Sequence, residues 1–241
     1  GIASGFITAI LQTKMGINSL LAGIIVNTGL YSINIAVMSG SSILNMNKTD
    51  TVFTKMAALL KGTPVARQSK LFVAIIAVAA VAVILGLFLK TRLGLAIRAT
   101  GDNPDMVRSS SVNPAFTTII GLCVANSFTA LSGCLLAQSQ RSVNIDIGTG
   151  MVTIALASLL IGGVFLGRKK MPLRIFGMVL GAFIFRLIYT IALRFDMPAF
   201  MLKFVSSVIV IAAIATPYFK KQLPLLKRRI QTRSGRRKAD A

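Results

Sequence analysis

The sequence has no histidine, no glutamate and only six acidic residues, all aspartate, in 241 positions. Without histidine it cannot assemble an ordinary zinc constellation. No aspartate falls inside an apolar run, and proton- and sodium-coupled carriers commonly depend on acids placed there. Paired carboxylates and Ser/His or Cys/His couples are equally missing, which argues against catalysis and against a bound metal or cofactor. The two cysteines, Cys123 and Cys134, fall in one expected helix. Their spacing puts them about 16 Å apart along its axis, beyond disulfide reach. Charged residues make up 14% of the chain, against about a quarter in soluble domains.

What is present is apolar. Hydrophobic residues account for 54% of the chain and the mean hydropathy is +0.76. Residues 17–38, 71–89 and 114–138 are long enough to cross a hydrocarbon core, which takes about 20 helical residues. Residues 1–11 are already apolar, with no charged leader before them. The expectation is a chain that starts inside a membrane helix, with further spans upstream.

Lysine and arginine number 27, for a net charge of +21. In a soluble protein that excess would suggest nucleic acid, but here the cations cluster at the ends of apolar runs. Threading the runs alternately puts Lys14, Lys90, Arg92, Arg98, Arg108, Arg168, Lys169, Lys170, Arg174 and the 220–238 cluster on one side. The other side receives the smaller set of Lys48, Lys55, Lys61, Arg67, Lys70, Arg141 and Arg194. The positive-inside rule makes the first side cytoplasmic, together with the C-terminus.

The expected fold is all-α: a polytopic transmembrane bundle of about seven spans, the first partial, with a short cytoplasmic helix. Residues 1–13 run inward, Gly16 permits the turn, and Asn18 caps an outward span to about Met38. Residues 39–69 form an external segment with a short helix around 51–61. Residues 71–89 return, and 114–138 go out. An external turn through Asp146 and Gly150 leads to an inward run over 151–166. Residues 174–194 go out and 198–217 come back. Residues 1–219 form the transmembrane domain and 220–241 a basic cytoplasmic tail.

Gly121, Ala125, Thr129, Gly133 and Ala137 recur every four residues, and Gly177 and Gly181 repeat the pattern. Such stripes let helix backbones approach closely in lipid. Packing within the chain is the favoured use, ahead of a dimer interface. Asn27, Tyr31 and Asn34 share one helical face, and Asn126 and Ser127 lie mid-span in another helix. They line a solute pathway or supply hydrogen bonds between helices, the latter being the commoner use of membrane Asn. Arg186 is the strongly charged residue deep inside a span, able to snorkel, pair with a carbonyl or face a wet cavity.

Residues 98–114 read RATGDNPDMVRSSSVNP, a polar loop between two apolar runs. Asn favours the N-cap and Pro the first helical position. Asn103-Pro104 therefore opens a short helix to about Ser110, with Asp105 in the first turn where the helix dipole favours it. Asn113-Pro114 opens the next span. Gly101 is expected to supply the flexible entry. Met106 and Val107 are expected to be exposed beside Arg108 and suited to docking in a partner's groove. The alternative is a plain structural turn.

The stretch TRLGLAIRATGDNPDMVRSSSVNP resembles the permease subunits of bacterial ABC importers in the branched-chain amino acid and ribose group. Arg92, Gly94, Gly101, Asn103 and Asn113 match the pattern of that group, whereas Val107 replaces a small residue and Ser111-Val112 a glycine step. IALASLLIGG at 154–163 is similar to the family's small and apolar run, and residues 12–40 resemble uncharacterised amino-acid-type permeases. The resemblance implies a non-catalytic membrane subunit in the bacterial plasma membrane, importing a small polar solute, an amino acid first of all. It further implies a second permease copy, cytoplasmic ATPase subunits that carry the ATP and Mg²⁺, and an extracytoplasmic substrate-binding protein. The loop Gly101, Asp102, Asn103, Pro104, Asp105, Met106, Val107 and Arg108 would then be the ATPase-coupling site. A secondary carrier without an ATPase, and a sugar or nucleoside ABC permease, are the alternatives. The basic tail suits anionic lipid better than nucleic acid.

Overall fold

The computed structural model describes residues 1–47, 49–59, 68–148, 151–166 and 171–194, with single positions at 204, 207, 208, 211 and 215. The last expected span, 198–217, and the basic tail lie essentially outside the described residues. The chain divides into two compact units, 1–146 and 147–241.

The first unit starts with α1 (Ile2–Thr13) and α2 (Ser19–Val37). Gly16 turns the chain between them in the left-handed region, at φ +65°. Asn18 then caps α2, its side-chain oxygen accepting from the N–H of Leu20 at 3.0 Å. After α2 come β1 (Ile43–Asn45) and α3 (Val52–Leu59), where a short helix was expected around 51–61. Thr51 and Thr54 cap the start of α3 reciprocally: each hydroxyl accepts the other residue's N–H, at 3.2 and 2.8 Å. The arrangement matches a capping box, with threonine in place of the usual glutamate.

α4 (Ser69–Phe88) leads through a tight corner into α5 (Arg92–Asp102), α6 (Pro104–Ser109) and the long α7 (Pro114–Gln140). β2 (Ser142–Asn144) follows α7 and pairs antiparallel with β1, Leu44 opposite Val143. A 3₁₀ turn over Ile145–Gly148 comes after it. The two short strands depart from the all-helical expectation. They tie the connection after α2 to the one after α7, and Val52 N–H adds a bond to the Gln138 side chain at 3.1 Å.

Close packing in this unit centres on α1 against α7. Ala9 is fully buried, and a methyl group built on Gly5 would meet the carbonyl of Leu122 and the backbone of Cys123. Most large apolar side chains of α2 and α4 remain exposed, which in a soluble fold would be untenable. Helices α2, α4, α7 and Met171–Ala192 are long and apolar enough to cross a membrane, and α1 and Met151–Gly163 are shorter apolar helices. The polytopic helical reading therefore stands.

The second unit pairs α8 (Met151–Leu166) with α9 (Met171–Arg194). Their backbones touch at glycine: a methyl on Gly162 would meet the carbonyl of Gly177, and one on Gly181 the carbonyl of Ser158 and the N–H of Gly162. Phe185, one turn beyond Gly181 in α9, is 2% exposed. Gly177 and Gly181 thus serve packing within the chain.

Candidate functional site

The polar segment between α4 and α7 is built almost entirely from side-chain-to-backbone bonds. Thr91 caps α5, its hydroxyl oxygen accepting from Gly94 N–H at 3.2 Å while its own O–H donates to the Phe88 carbonyl at 2.6 Å. Gly94 is buried against that corner, where any side chain would strike the Phe88 carbonyl and the Leu89 backbone. α5 then continues further than the sequence suggested. Gly101 and Asp102 are its last residues, so Gly101 is helical and not a flexible lead-in. Helix propensity tolerates a single glycine near a C-terminus, and the break falls at Asn103, which the following Pro104 disfavours in the helical region.

Asn103 adopts extended geometry, and its side-chain oxygen accepts from the N–H groups of Asp105 and Met106, both at 3.1 Å. Pro104 takes the first helical position and Asp105 the first turn. Asn113 repeats the device for α7, accepting from Ala115 N–H at 2.9 Å with Pro114 at the first position. Both Asn-Pro steps are therefore caps.

The two apolar residues of α6 have different surroundings. Met106 is 68% exposed, whereas Val107 is 5% exposed and packs inward. The expectation that both were exposed fails at Val107, because α6 rests on α5 and α7 and its inner face must be covered. Asp105 and Arg108 are exposed with Met106, so the outward surface of α6 is one methionine flanked by opposite charges.

Behind α6, α5 and α7 are pinned by a hydroxyl pair. Thr100 Oγ1 and Thr117 Oγ1 lie 2.8 Å apart, Thr117 is 1% exposed, and the flanking acceptors are the carbonyls of Ala96 (2.8 Å) and Pro114 (2.9 Å). Neither threonine stood out in the sequence, where each is one hydroxyl among many. Their pairing across 17 positions depends on α5 being helical, and the signal for that was Thr91 placed three residues before Gly94.

The candidate pathway residues fall into two groups that do not come together as one site. Asn27, Tyr31 and Asn34 sit exposed on α2. Asn126 and Ser127 are half-buried in the α1–α7 contact, near Gly1, and bond their own helix: Asn126 Nδ2 to the Leu122 carbonyl at 3.0 Å and Ser127 Oγ to the Cys123 carbonyl at 2.7 Å. The small-residue stripe on α7 is likewise not what α1 packs on. Leu122, Cys123, Asn126 and Ala130 meet α1, while Gly121 faces Ile97 of α5 and Gly133 faces open space. Among the described residues no group of His, Cys, Asp or Glu could hold a metal ion.

Residues 1–214 match the family described as branched-chain amino acid transport system, permease component. The chain belongs to this family. A tyrosine transport system permease protein of Clostridioides difficile is 32% identical over 216 residues, covering 90% of this chain and 69% of that protein. The uncharacterized protein RP368 of Rickettsia prowazekii is 30% identical over 162 residues, 67% of this chain and 54% of its own length. The autoinducer 2 import system permease protein LsrC of Yersinia enterocolitica is 23% identical, over 89% of this chain and 56% of its own. The chain thus spans just over half of the latter two relatives. No solved structure matches. The molecule is an ABC importer permease, an integral protein of the inner membrane.

Proposed function

We propose that this permease is the pore-forming, non-catalytic subunit of an ATP-driven importer of amino acids. Two copies form the pore, a cytoplasmic ATPase subunit docks on α6 of each, and an external binding protein delivers the solute. ATP and Mg²⁺ belong to the ATPase. The observation that carries the reading is the build of α6: capped by Asn103, backed by Val107 and the Thr100–Thr117 pair, and presenting Met106 between Asp105 and Arg108. A helix so fixed transmits a push to α5 and α7 without yielding itself. Charge bias supports placing this segment and the C-terminus in the cytoplasm, with the basic tail drawn to anionic lipid at ~1 kcal/mol per charge near the surface.

The 32% identity to a tyrosine transport permease favours an amino acid as cargo. The weaker likeness to autoinducer 2 import permeases keeps a sugar-like solute as the second reading. Uptake of radiolabelled amino acids, with pentoses as the comparison, decides between them in cells expressing the complete transporter with an active or an ATPase-dead partner. Amino-acid uptake that vanishes with ATPase activity is expected. Uptake that persists without the ATPase would make the protein a secondary carrier.

A further inference from the structure

Arg186 has no part in the docking helix or the helix contacts described above. It is the sixteenth residue of the 24-residue α9 and lies within the stretch Met171–Ala192 that can cross a membrane. Helical rise places it about 9 Å inside Ala192. A charge at such a depth is costly, and side chains that persist there pair with an opposite charge or face a wet cavity. The six aspartates stand at 50, 102, 105, 146, 196 and 240, none of them in α8 or α9. Among the described residues no carboxylate pairs with Arg186.

What the guanidinium does touch is aromatic. Its central carbon sits 5.4 Å from the centroid of the Tyr189 ring. Tyr189 in turn stacks on Phe185, centroids 6.5 Å apart and planes 25° from parallel, and Phe185 is 2% exposed. The cation is thereby held on an aromatic step, and Arg186 is exposed. A planar fork in a low-dielectric setting is suited to a carboxylate or a phosphate, which it can bind in two parallel hydrogen bonds.

We infer that Arg186, seated on the half-buried Tyr189, is a binding site for the carboxylate of the transported amino acid. This rests on the proposed amino-acid cargo. It also accounts for a charge that no carboxylate among the described residues neutralises: the counter-ion arrives with the substrate and departs with it. The same orientation that makes the tail cytoplasmic puts Arg186 in the outer part of its span, where an incoming amino acid leaves water.

The test is uptake of ¹⁴C-labelled L-tyrosine by cells expressing the complete transporter, normalised to membrane-inserted permease, for wild type, Arg186→Gln, Arg186→Lys and Tyr189→Leu. Loss of a charge-assisted pair corresponds to about a 10- to 100-fold rise in KM for Arg186→Gln, with partial retention in Arg186→Lys. Tyr189→Leu should fall between them. Competition by L-tyrosinamide, which lacks the carboxylate, should be weak for wild type and should approach that of tyrosine in Arg186→Gln. If wild type imports tyrosine and Arg186→Gln does so with unchanged KM, the inference is wrong. That holds equally if the variant only lowers the amount of inserted protein, as a lipid-phosphate contact would. If wild type imports no amino acid while its ATPase is active, the cargo assignment falls and this site falls with it.

Discussion

Two parts of this permease solve the same problem, fixing one helix against another, with opposite chemistry. The α5–α6–α7 segment is held by oriented polar groups: the Thr91, Asn103 and Asn113 caps and the Thr100–Thr117 pair. The α8–α9 hairpin is held by backbone approach at Gly162, Gly177 and Gly181, and the one hydroxyl buried there, Ser158, bonds to its own helix through the Ile154 carbonyl. In lipid, apolar surface gives helices no preference for each other over the acyl chains, so close backbone packing has to supply it. At a water-facing corner, helix ends compete with solvent, and caps decide where they stop. The glycine contact has no tolerance for volume, and the capped corner has little for the loss of an acceptor.

The largest effect is therefore expected from volume. Gly181→Leu should open the hairpin, at a cost of at least about 1–3 kcal/mol, and Gly5→Leu should do the same to α1–α7. Gly133→Leu, which points at nothing within 4 Å, should be harmless to the monomer. Thermal stability of the detergent-solubilised protein, followed by fluorescence-detected size exclusion, ranks the three. Equal losses in all three would remove the distinction.

Next in size are the caps. Asn103→Ala should cost about 0.5–2 kcal/mol of local helix stability, and Asn103→Asp, which keeps the acceptor, should cost little. Hydrogen exchange at the Asp105 and Met106 amides reads the difference directly. Protection unchanged in Asn103→Ala would show that the cap does not set α6.

The corner and the hairpin also differed in how far they could be read ahead. Asn-Pro steps act within three residues, so the sequence sufficed to place the starts of α6 and α7, and Gly16 and Asn18 likewise marked the α1–α2 turn. Glycine spacing announced close helix packing but not its partner: on α7 the four-residue stripe was visible, yet its neighbour face receives α1. Burial of Val107 could not be read from six residues, because one helical turn has no periodicity to reveal its inner face. The Thr100–Thr117 pair and the β1–β2 pairing join positions far apart in sequence, and no local pattern encodes them.

A smaller effect is expected at the hydroxyl pair. Thr117→Val alone should destabilise by about 0.5–1.5 kcal/mol, and Thr100→Val with Thr117→Val should be closer to neutral, since both partners then become apolar together. Transport per ATP hydrolysed should nevertheless fall in the double variant if the pair carries motion from α6 into α5 and α7. Unchanged coupling would reduce it to packing.

The smallest effect on stability, within about ±0.5 kcal/mol, belongs to exposed Met106, and it bears most directly on function. The decisive measurement is cross-linking in membranes, with Cys123 and Cys134 replaced by serine and a single cysteine placed at Met106 or at Val107. Alkylation of the single cysteine with a maleimide–benzophenone, followed by irradiation, should join the Met106→Cys permease to the ATPase subunit through a C–H bond in the transport-active complex and leave Val107→Cys uncoupled. An active complex in which Met106→Cys forms no adduct with the ATPase would contradict the assignment of α6 as the docking helix.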